Sequence, residues 1–482
     1  MKAKLKKIAP WILLLLIILS LGVWYFFDRR VTEDQLAEYN NILTEANTFF
    51  EAKQYSVSIK RYQDATEKIP TKVEAYKGII DILLLKNRVD DATEIVEKAA
   101  NSLSPNNKSI LYGSIGNYYY SLKDYENAKN IYQKGLGLGV TNMEAEFMLG
   151  KTLLNIGKIS EAKEQLSKEG FGDENASESK LLLAYIEAVT NQSNAKSLLS
   201  SSTPTQKLSP YYEEFSEVLS SLTDDSKFNA TKLARIYLNN GYSYLALNTL
   251  EPIQDQIDEY LDGLYYLGRA YLETGSYDKS IETLDKASTL GGMESEIFWA
   301  KGRAYLLKND LDNSFQSYQR AINYGGKNVS DDLLREYTDV LFENKQMLKA
   351  EEFLSDVLET KGDPYLLLLT LEAEYDLKDD KKMDYYLAQL SKKDLSDEEK
   401  AEYIYWQVKI MLDKGEDNGI QELLDQLYSL SKYNPKYYLL KGRYDLTLNN
   451  TEDAKSSLEK SIEYDIQGLV VEESSKMLSN IK

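Results

Sequence analysis

Hydrophobic and polar positions follow two different patterns along this chain. From Ile8 to Phe27 no residue is charged, whereas beyond about residue 35 apolar residues return every three or four positions in short blocks. Turn residues such as glycine and asparagine separate these blocks. A spacing of three and four places apolar side chains on one face of an α-helix. The pattern therefore predicts one wholly apolar helix, followed by a long series of short amphipathic helices in an all-α fold.

The uncharged segment from Ile8 to Phe27 is long enough to cross a lipid bilayer. Its twenty residues span about 30 Å as a helix, the thickness of a hydrocarbon core. Trp11 near one end, and Trp24 and Tyr25 near the other, are typical of aromatic residues at membrane interfaces. Since the segment has no polar face, we predict a transmembrane signal-anchor helix at residues 8–27. A cleaved signal peptide is the alternative.

The charges that flank this segment predict its orientation. Residues 1–7 contain four lysines and no acid, whereas the two arginines after the segment are mixed with aspartate and glutamate. Cytoplasmic flanks carry the larger excess of lysine and arginine. We therefore expect a short cytoplasmic tail at residues 1–7 and a large body on the extracytoplasmic side. If the segment were cleaved, the body would be secreted.

Beyond the anchor, the sequence repeats itself every 34 residues. The segments Leu264–Ala287 and Phe298–Ala321 align at that offset without a gap. Each unit has a small residue on a first helix and a small and a large residue on a second helix, which suits two closely packed helices. The small residues of the first helices include Ala46, Gly116, Gly150, Ala234, Gly268 and Gly302. The large residues of the second helices include Tyr62, Tyr132, Leu166, Leu250, Leu284 and Tyr318.

This pattern resembles the tetratricopeptide repeat (TPR) family. The resemblance implies a right-handed superhelical solenoid of about twelve helix hairpins, whose first helices line a concave groove that binds peptides. Many of the 38 tyrosines then fill the space between paired helices, with the hydroxyl reaching the surface. We assign residues 35–199 to an N-terminal array, 200–228 to a linker or irregular repeat, 229–466 to a C-terminal array and 467–482 to a capping helix. One continuous superhelix is the alternative.

Composition removes most catalytic chemistry from consideration. The chain has no cysteine and no histidine, so thiol nucleophiles, imidazole bases and zinc sites built on these residues are excluded. With 77 acidic and 57 basic residues, it lacks the basic surface on which nucleic-acid binding depends. We find no catalytic, metal-binding or cofactor-binding motif and predict that the protein is not an enzyme. The sequence leaves the oligomeric state open.

A glycine-rich stretch, KGLGLG at Lys134–Gly139, has the composition of a phosphate-binding loop. No strand precedes it, so the context of such a loop is missing. Gly139 instead aligns with Gly291 and Gly325, at the end of the second helix in three repeats. We predict that these glycines take a left-handed conformation that turns the chain into the next repeat.

One set of residues remains a candidate binding site. Arg235, Arg269 and Arg303 each follow the small residue of a first helix, and Tyr265 and Trp299 lie four positions before two of them. The resemblance places these five residues in the groove, where arginines suit an acidic or C-terminal carboxylate segment. The alternative is an internal ladder of ion pairs. The acids that open the following units, and would complete this ladder, are Asp262, Glu296 and Asp332.

These observations lead to one functional hypothesis and two alternatives. We expect a non-enzymatic, membrane-anchored TPR scaffold that mediates protein–protein interactions in the assembly of an envelope or secretion complex. The first alternative is a tethered structural or regulatory protein with no defined peptide ligand. The second is an enzyme whose catalytic unit lies within the irregular segments.

Overall fold

The computed structural model describes residues 31–358 and 362–481, and the predicted anchor at residues 8–27 lies outside them. The described part of the chain is built from 26 α-helices and three short 3₁₀ turns and contains no strand. The α-helices are α1 Glu33–Glu51, α2 Tyr55–Lys68, α3 Val73–Leu85, α4 Val89–Lys98, α5 Pro105–Ser121, α6 Tyr125–Leu136, α7 Met143–Asn155, α8 Ile159–Leu166, α9 Asp173–Ala188, α10 Gln192–Ser200, α11 Ser209–Ser220, α12 Ser226–Asn239, α13 Ser243–Leu250, α14 Leu261–Glu273, α15 Tyr277–Thr289, α16 Glu294–Leu307, α17 Leu311–Gly325, α18 Asp331–Glu343, α19 Met347–Leu358, α20 Pro364–Leu377, α21 Asp380–Leu390, α22 Asp397–Lys414, α23 Ile420–Leu430, α24 Pro435–Thr447, α25 Thr451–Tyr464 and α26 Val471–Asn480. The predicted all-α fold is confirmed.

Most helices form hairpins, each with a first and a second helix. The hairpins run from α1/α2 to α9/α10 and from α12/α13 to α24/α25. Helices α11 and α26 have no hairpin partner; α11 lies within residues 200–228 and α26 within residues 467–482. The side chains of Tyr212 and Phe215 on α11 are buried. The division into two arrays and the handedness of the superhelix stay predictions.

The chain divides into two compact units, and the boundary falls within α5 at Leu111 and Tyr112. The described part of the first unit contains α1 to α4 and the beginning of α5, around buried Tyr62 and Ile80. The second unit contains the remaining helices. Its largest core cluster extends from Ala128 to Ala304.

The small and large residues of the repeat pack against each other as the sequence predicts. A Cβ atom on Gly268 would lie 2.6 Å from Cγ of Leu284, and one on Gly302 would lie 2.9 Å from Cδ2 of Tyr318. Both distances are below van der Waals contact, so the second helix can approach only a residue without a side chain. The same contact joins Gly116 to Tyr132, Gly150 to Leu166 and Gly442 to Leu458.

Polar groups within the hairpins are satisfied by a recurring hydrogen bond. The hydroxyls of Ser280 and Ser314, on second helices, donate to the backbone oxygens of Gly268 and Gly302 at 2.8 and 2.9 Å. Because these serines are fully buried, leaving their hydroxyls unpaired would be costly. Ser58 makes the same bond to Ala46.

The hydroxyls of two buried tyrosines on second helices donate hydrogen bonds to the first helix of the same hairpin. The hydroxyls of Tyr62 and Tyr132 donate to the side-chain oxygens of Asn47 and Asn117, both at 2.6 Å. In these two hairpins the asparagine follows the small residue of the first helix. The ring therefore fills the core while its hydroxyl reaches the polar side of the first helix.

The turns at the ends of helices depend on single left-handed residues. Gly139 and Gly291, each with φ of +73°, take the predicted conformation. Gly325 does not, since it belongs to the end of α17 with φ of −66°, and Gly326 takes the positive φ instead. Helix α17 extends to this glycine, whereas α6 and α15 end three and two residues before theirs.

In residues 31–358 and 362–481, no helix is both long and apolar enough to cross a membrane.

Candidate peptide-binding groove

The three predicted arginines lie on successive first helices of the second unit. Arg235 is on α12, Arg269 on α14 and Arg303 on α16, each directly after a buried alanine or glycine. The side chain of Arg269 is 24% exposed and that of Arg303 is 46% exposed. Each arginine follows the small residue that packs on the second helix, so its side chain points away from that second helix.

The two predicted aromatic residues contact the arginines that follow them. The guanidinium carbon of Arg303 lies 4.7 Å from the centre of the Trp299 ring, and that of Arg269 lies 5.9 Å from the Tyr265 ring. Residues four positions apart share one face of a helix, and guanidinium groups are attracted to ring faces at these distances. Tyr265 is buried and Trp299 is partly buried.

Arg303 is held by a carboxylate on the next first helix, α18. Its Nε donates to Oε1 of Glu336 at 2.6 Å, and its Nη2 contacts the other oxygen, Oε2. The hydroxyl of Tyr318 donates to the same Oε1 at 2.7 Å. The predicted partner, Asp332, is therefore wrong by one helical turn. Asp332 lies in the exposed first turn of α18, whereas Glu336 faces α16.

These contacts determine the charge of Glu336. Burial alone would raise the pKa of this carboxyl, but the hydrogen bonds from Arg303 and Tyr318 outweigh it, and the pKa is lowered. The hydrogen bond to Glu336 in turn raises the pKa of Arg303. Both groups are therefore ionised at neutral pH.

Arg269 and Arg235 differ from Arg303 in their partners. Arg269 pairs at 3.1 Å with Glu273 on its own helix, which also accepts a hydrogen bond of 2.5 Å from the hydroxyl of Ser243. The predicted partner Glu296 is thus wrong, because an acid one turn away on the same helix is closer. Arg235 forms no ion pair with any described residue, Asp262 included, and borders a shallow depression of about 220 Å³ beside Glu214.

A larger cavity, which we call the groove, lies at the C-terminal ends of four successive first helices of the second unit. Its volume is about 800 Å³, within the range of binding pockets in proteins. Helices α12, α14, α16 and α18 and the turn between α5 and α6 contribute to its wall. The apolar lining includes Leu238, Leu272, Leu306, Leu307 and Val340. Of the five predicted residues, only Arg303 borders the groove.

The groove carries more acidic than basic side chains. The charged side chains that line it are those of Lys123, Glu273, Arg303, Glu336, Asp339 and Glu343. Burial raises the pKa of Tyr125, which also borders the groove, to about 12, so its hydroxyl carries no charge at neutral pH. The groove therefore differs from the basic, aromatic surface that the sequence suggested.

The sequence analysis missed a fourth arginine at the same repeat position. Arg443 on α24 follows Gly442, and its side chain is 16% exposed. It contacts Asp413 on α22 and lies 3.6 Å from Glu473 on α26. The signal was available, since Gly442 occupies the small-residue position of its hairpin. Between these two hairpins no arginine occupies the same repeat position, since Arg335 on α18 precedes that position, so the series did not reach this repeat.

No metal-binding chemistry emerges from the described part of the chain. Within residues 31–358 and 362–481, no group of three or more acidic residues could hold a metal ion. The polar side chains of the groove can accept or donate hydrogen bonds and form ion pairs. This arrangement suits binding of a polypeptide segment.

Comparison with known proteins agrees with this architecture. The fold defines an α-helical repeat protein. Models of the tetratricopeptide repeat match residues 110–138, 265–328 and 435–465. The chain thus contains TPR units and is a scaffold suited to protein–protein interaction. Among curated proteins none matches it significantly.

Several solved structures resemble the chain at low identity. The C-terminal part of a TPR-containing protein from Cytophaga hutchinsonii is 13% identical, with coverage of 51% of this chain and 98% of that chain and a TM-score of 0.39. Yeast Tom70 is 15% identical, with coverage of 92% of this chain and 97% of that chain and a TM-score of 0.33. Naa15/Naa10 bound to HypK-THB is 12% identical, with coverage of 92% and 96% and a TM-score of 0.35.

Proposed function

We propose that this protein is a non-enzymatic, membrane-anchored scaffold that binds segments of other proteins in the groove of its second unit. The observation that carries the proposal is the cavity of about 800 Å³ with Leu307 on its wall, a side chain that is 57% exposed. Repeat proteins leave such surfaces free because each hairpin packs only on its neighbours. Arg303 borders this groove, and Arg235, Tyr265, Arg269 and Trp299 lie on first helices whose C-terminal residues line it.

The sequence of the N-terminus supports the membrane part of the proposal. The uncharged segment at residues 8–27 has the length and the interfacial aromatics of a signal anchor, and four lysines precede it. The N-terminus is then cytoplasmic, and the repeats lie on the extracytoplasmic side. A scaffold in that position serves the assembly of an envelope or secretion complex.

Photo-crosslinking in cells tests where partners bind. A photoreactive amino acid at Leu307 is expected to crosslink a defined protein. The same amino acid at Leu348, which is 71% exposed near the start of the second helix α19, serves as the control and is expected to capture none of it. Equal capture from both positions, or none from Leu307, would contradict binding in the groove.

A second experiment tests the predicted arginines. Pull-down from membranes with the wild-type chain and with the Arg235→Ala/Arg269→Ala/Arg303→Ala variant is expected to show a changed recovery of the partner that Leu307 captures. An unchanged set of partners would remove these arginines from the site without affecting the crosslinking result.

Protease added to intact cells tests the orientation. Degradation of the repeats with the cytoplasmic proteins intact is expected, and protection of the repeats would reverse the proposed topology. Release of the repeats into the medium without protease would favour cleavage of the segment at residues 8–27.

A further inference from the structure

The acidic side of the groove is concentrated on one face of a single helix. Glu336, Asp339 and Glu343 of α18 all line the cavity, at spacings of three and four residues that bring side chains together on a helix. Val340 lies between them on the same face and is buried. This face thus presents three carboxylates around an apolar side chain.

Two of these carboxylates have no ion-pair partner among the described residues. Glu336 is paired with Arg303, whereas Asp339 and Glu343 form no ion pair there and are exposed. Partial desolvation raises the pKa of Asp339, and the negative charges of Glu343 and Glu336 raise it further, against a smaller opposite effect of Arg335. The local potential at this edge is therefore negative and would be relieved by a cation.

Neither Arg303, which borders the groove, nor Arg269 nearby on α14 offers a free site for an acidic ligand. The two donors that Arg303 directs at a carboxylate are used by Glu336, and Arg269 pairs with Glu273. Lys123, in the turn between α5 and α6, is the remaining basic residue that lines the groove. An acidic segment would meet one lysine and an arginine that is already paired, whereas a basic segment would meet two unpaired carboxylates.

Apolar surface lies next to these carboxylates. Leu306 and Leu307 of α16, Leu272 of α14 and Val340 of α18 line the same cavity. Leu307 leaves more than half of its surface exposed, so covering it is favourable by about 25 cal/mol for each Å² removed from water. A ligand that matches the groove therefore combines aliphatic and cationic side chains.

We propose that the groove binds a segment of a partner protein in which lysine or arginine residues flank leucine-like side chains. The cations pair with Asp339 and Glu343, and the aliphatic side chains cover Leu306, Leu307 and Val340. This inference rests on the proposed function and names the class of segment that the scaffold recognises.

Fluorescence anisotropy with two labelled peptides tests the inference. The probes are a short peptide of lysine and leucine and a peptide of the same length with glutamate in place of lysine. The full chain is held in nanodiscs of zwitterionic lipid, with empty nanodiscs as the blank. We expect the lysine peptide to bind and the glutamate peptide not to bind at about 0.1 mM. Binding should weaken as salt is added.

Matched variants distinguish binding by the carboxylates of the groove from attraction to the overall negative charge of the protein. Asp339→Asn/Glu343→Gln is expected to weaken binding of the lysine peptide about tenfold, equivalent to about 1.4 kcal/mol. Asp312→Asn/Glu459→Gln removes the same charge from exposed carboxylates on the second helices α17 and α25 and is expected to change affinity less than about twofold. Both pairs change exposed polar residues, so folding is retained.

Three outcomes would overturn the inference: equal losses in the two variants, binding of the glutamate peptide, or no binding of the lysine peptide. The proposed function is tested separately by crosslinking from Leu307. A partner captured there through an acidic segment would leave the scaffold function intact and refute only the charge preference.

Discussion

Arg303 and Arg443 stand at the same position of two repeats, one residue after the glycine that packs on the second helix, but their surroundings differ. Arg303 is 46% exposed, borders the groove and pairs with Glu336 of the next first helix. Arg443 is 16% exposed and lies between Asp413 of the preceding first helix and Glu473 of α26. One arginine borders open space, and the other is enclosed by its own chain.

The aromatic residues around the two arginines reinforce this difference. Near Arg443, the ammonium group of Lys409 lies 4.9 to 5.3 Å from the ring centres of Tyr375, Tyr405 and Trp406. The hydroxyl of Tyr375 donates to Asp413 at 2.5 Å. The hairpins around Arg443 thus direct charged and aromatic side chains at one another and at α26. The proposed binding groove lies in the repeats around Arg303.

The largest expected effect comes from removing the arginines themselves. Arg443→Ala should destabilise α22, α24 and α26 by about 2 kcal/mol, because it leaves two carboxylates near each other in a partly buried site. Arg303→Ala should cost about 1 kcal/mol, since that pair is more exposed. Hydrogen exchange followed by mass spectrometry measures the opening of each helix. Equal protection losses in both variants would show that the two sites are equivalent.

The next prediction concerns the close contact between a glycine of the first helix and a large side chain of the second helix, which both regions share. Gly302→Ala and Gly442→Ala would place a Cβ atom 2.9 Å from Cδ2 of Tyr318 and 2.8 Å from Cγ of Leu458. Overpacking costs about 1–3 kcal/mol and Ala gains about 1 kcal/mol of helix propensity, so a net loss of about 1 kcal/mol, and at most about 2 kcal/mol, is expected. Gly442→Ala should cost more, because the backbone oxygen of Ala454 is also only 3.3 Å away.

Urea denaturation followed by circular dichroism, together with local hydrogen exchange, checks these two variants. The exposed substitution Ser456→Ala on α25 serves as the control. A neutral result for either glycine would mean that the second helix moves away without cost, and the close approach would not be essential to the hairpin.

The sequence predicts the inside of a hairpin better than the contacts between hairpins. The Gly268–Leu284 and Gly302–Tyr318 contacts follow from residues sixteen positions apart, and the repeat itself fixes their register. The partner of Arg303 depends instead on how α18 is rotated relative to α16, and one helical turn separates the predicted Asp332 from the observed Glu336. A 34-residue pattern does not specify that rotation.

The groove itself was predicted only in part. Tyr265 and Trp299 do contact the arginines that follow them, because four residues make one helical turn. The acidic face of Asp339 and Glu343 was missed because α18 begins a weaker repeat with Leu334 and Tyr337 in its core. Its carboxylates resemble an ordinary solvent-exposed face until the cavity is seen beside them.

A smaller effect concerns pH and two carboxylates that are three residues apart on α18. Since the pKa of Glu336 is lowered in the folded state, its contribution is present above the unfolded pKa of about 4.3 and is lost as pH falls through the lower folded pKa. Glu336→Gln should cost about 1 kcal/mol at pH 7 for its charged hydrogen bonds and remove that acid dependence.

Asp339 should behave in the opposite sense. Burial raises its pKa, so its ionised form opposes folding at neutral pH, and this penalty is relieved as pH falls through the raised folded pKa. Asp339→Asn should therefore stabilise α18 at pH 7. Hydrogen exchange of α18 between pH 4 and pH 7, corrected for the intrinsic rate, compares the two variants. Shifts of the same sign would contradict the opposed environments.

The smallest effect applies equally to both regions. Asn309 and Asn449 occupy the turn between first and second helix in their hairpins, with φ of +60° and +61°. Glycine takes this conformation without the strain of a side chain, although it adds entropy to the unfolded chain. Asn309→Gly and Asn449→Gly should each stabilise their hairpin by about 0.5 kcal/mol, measured by hydrogen exchange.

Gly275, at the equivalent turn with φ of +82° and no neighbour near its missing Cβ, supplies the reverse test. Gly275→Ala should destabilise by about 1 kcal/mol through the backbone alone, and a neutral result there would remove the conformational explanation for all three turns.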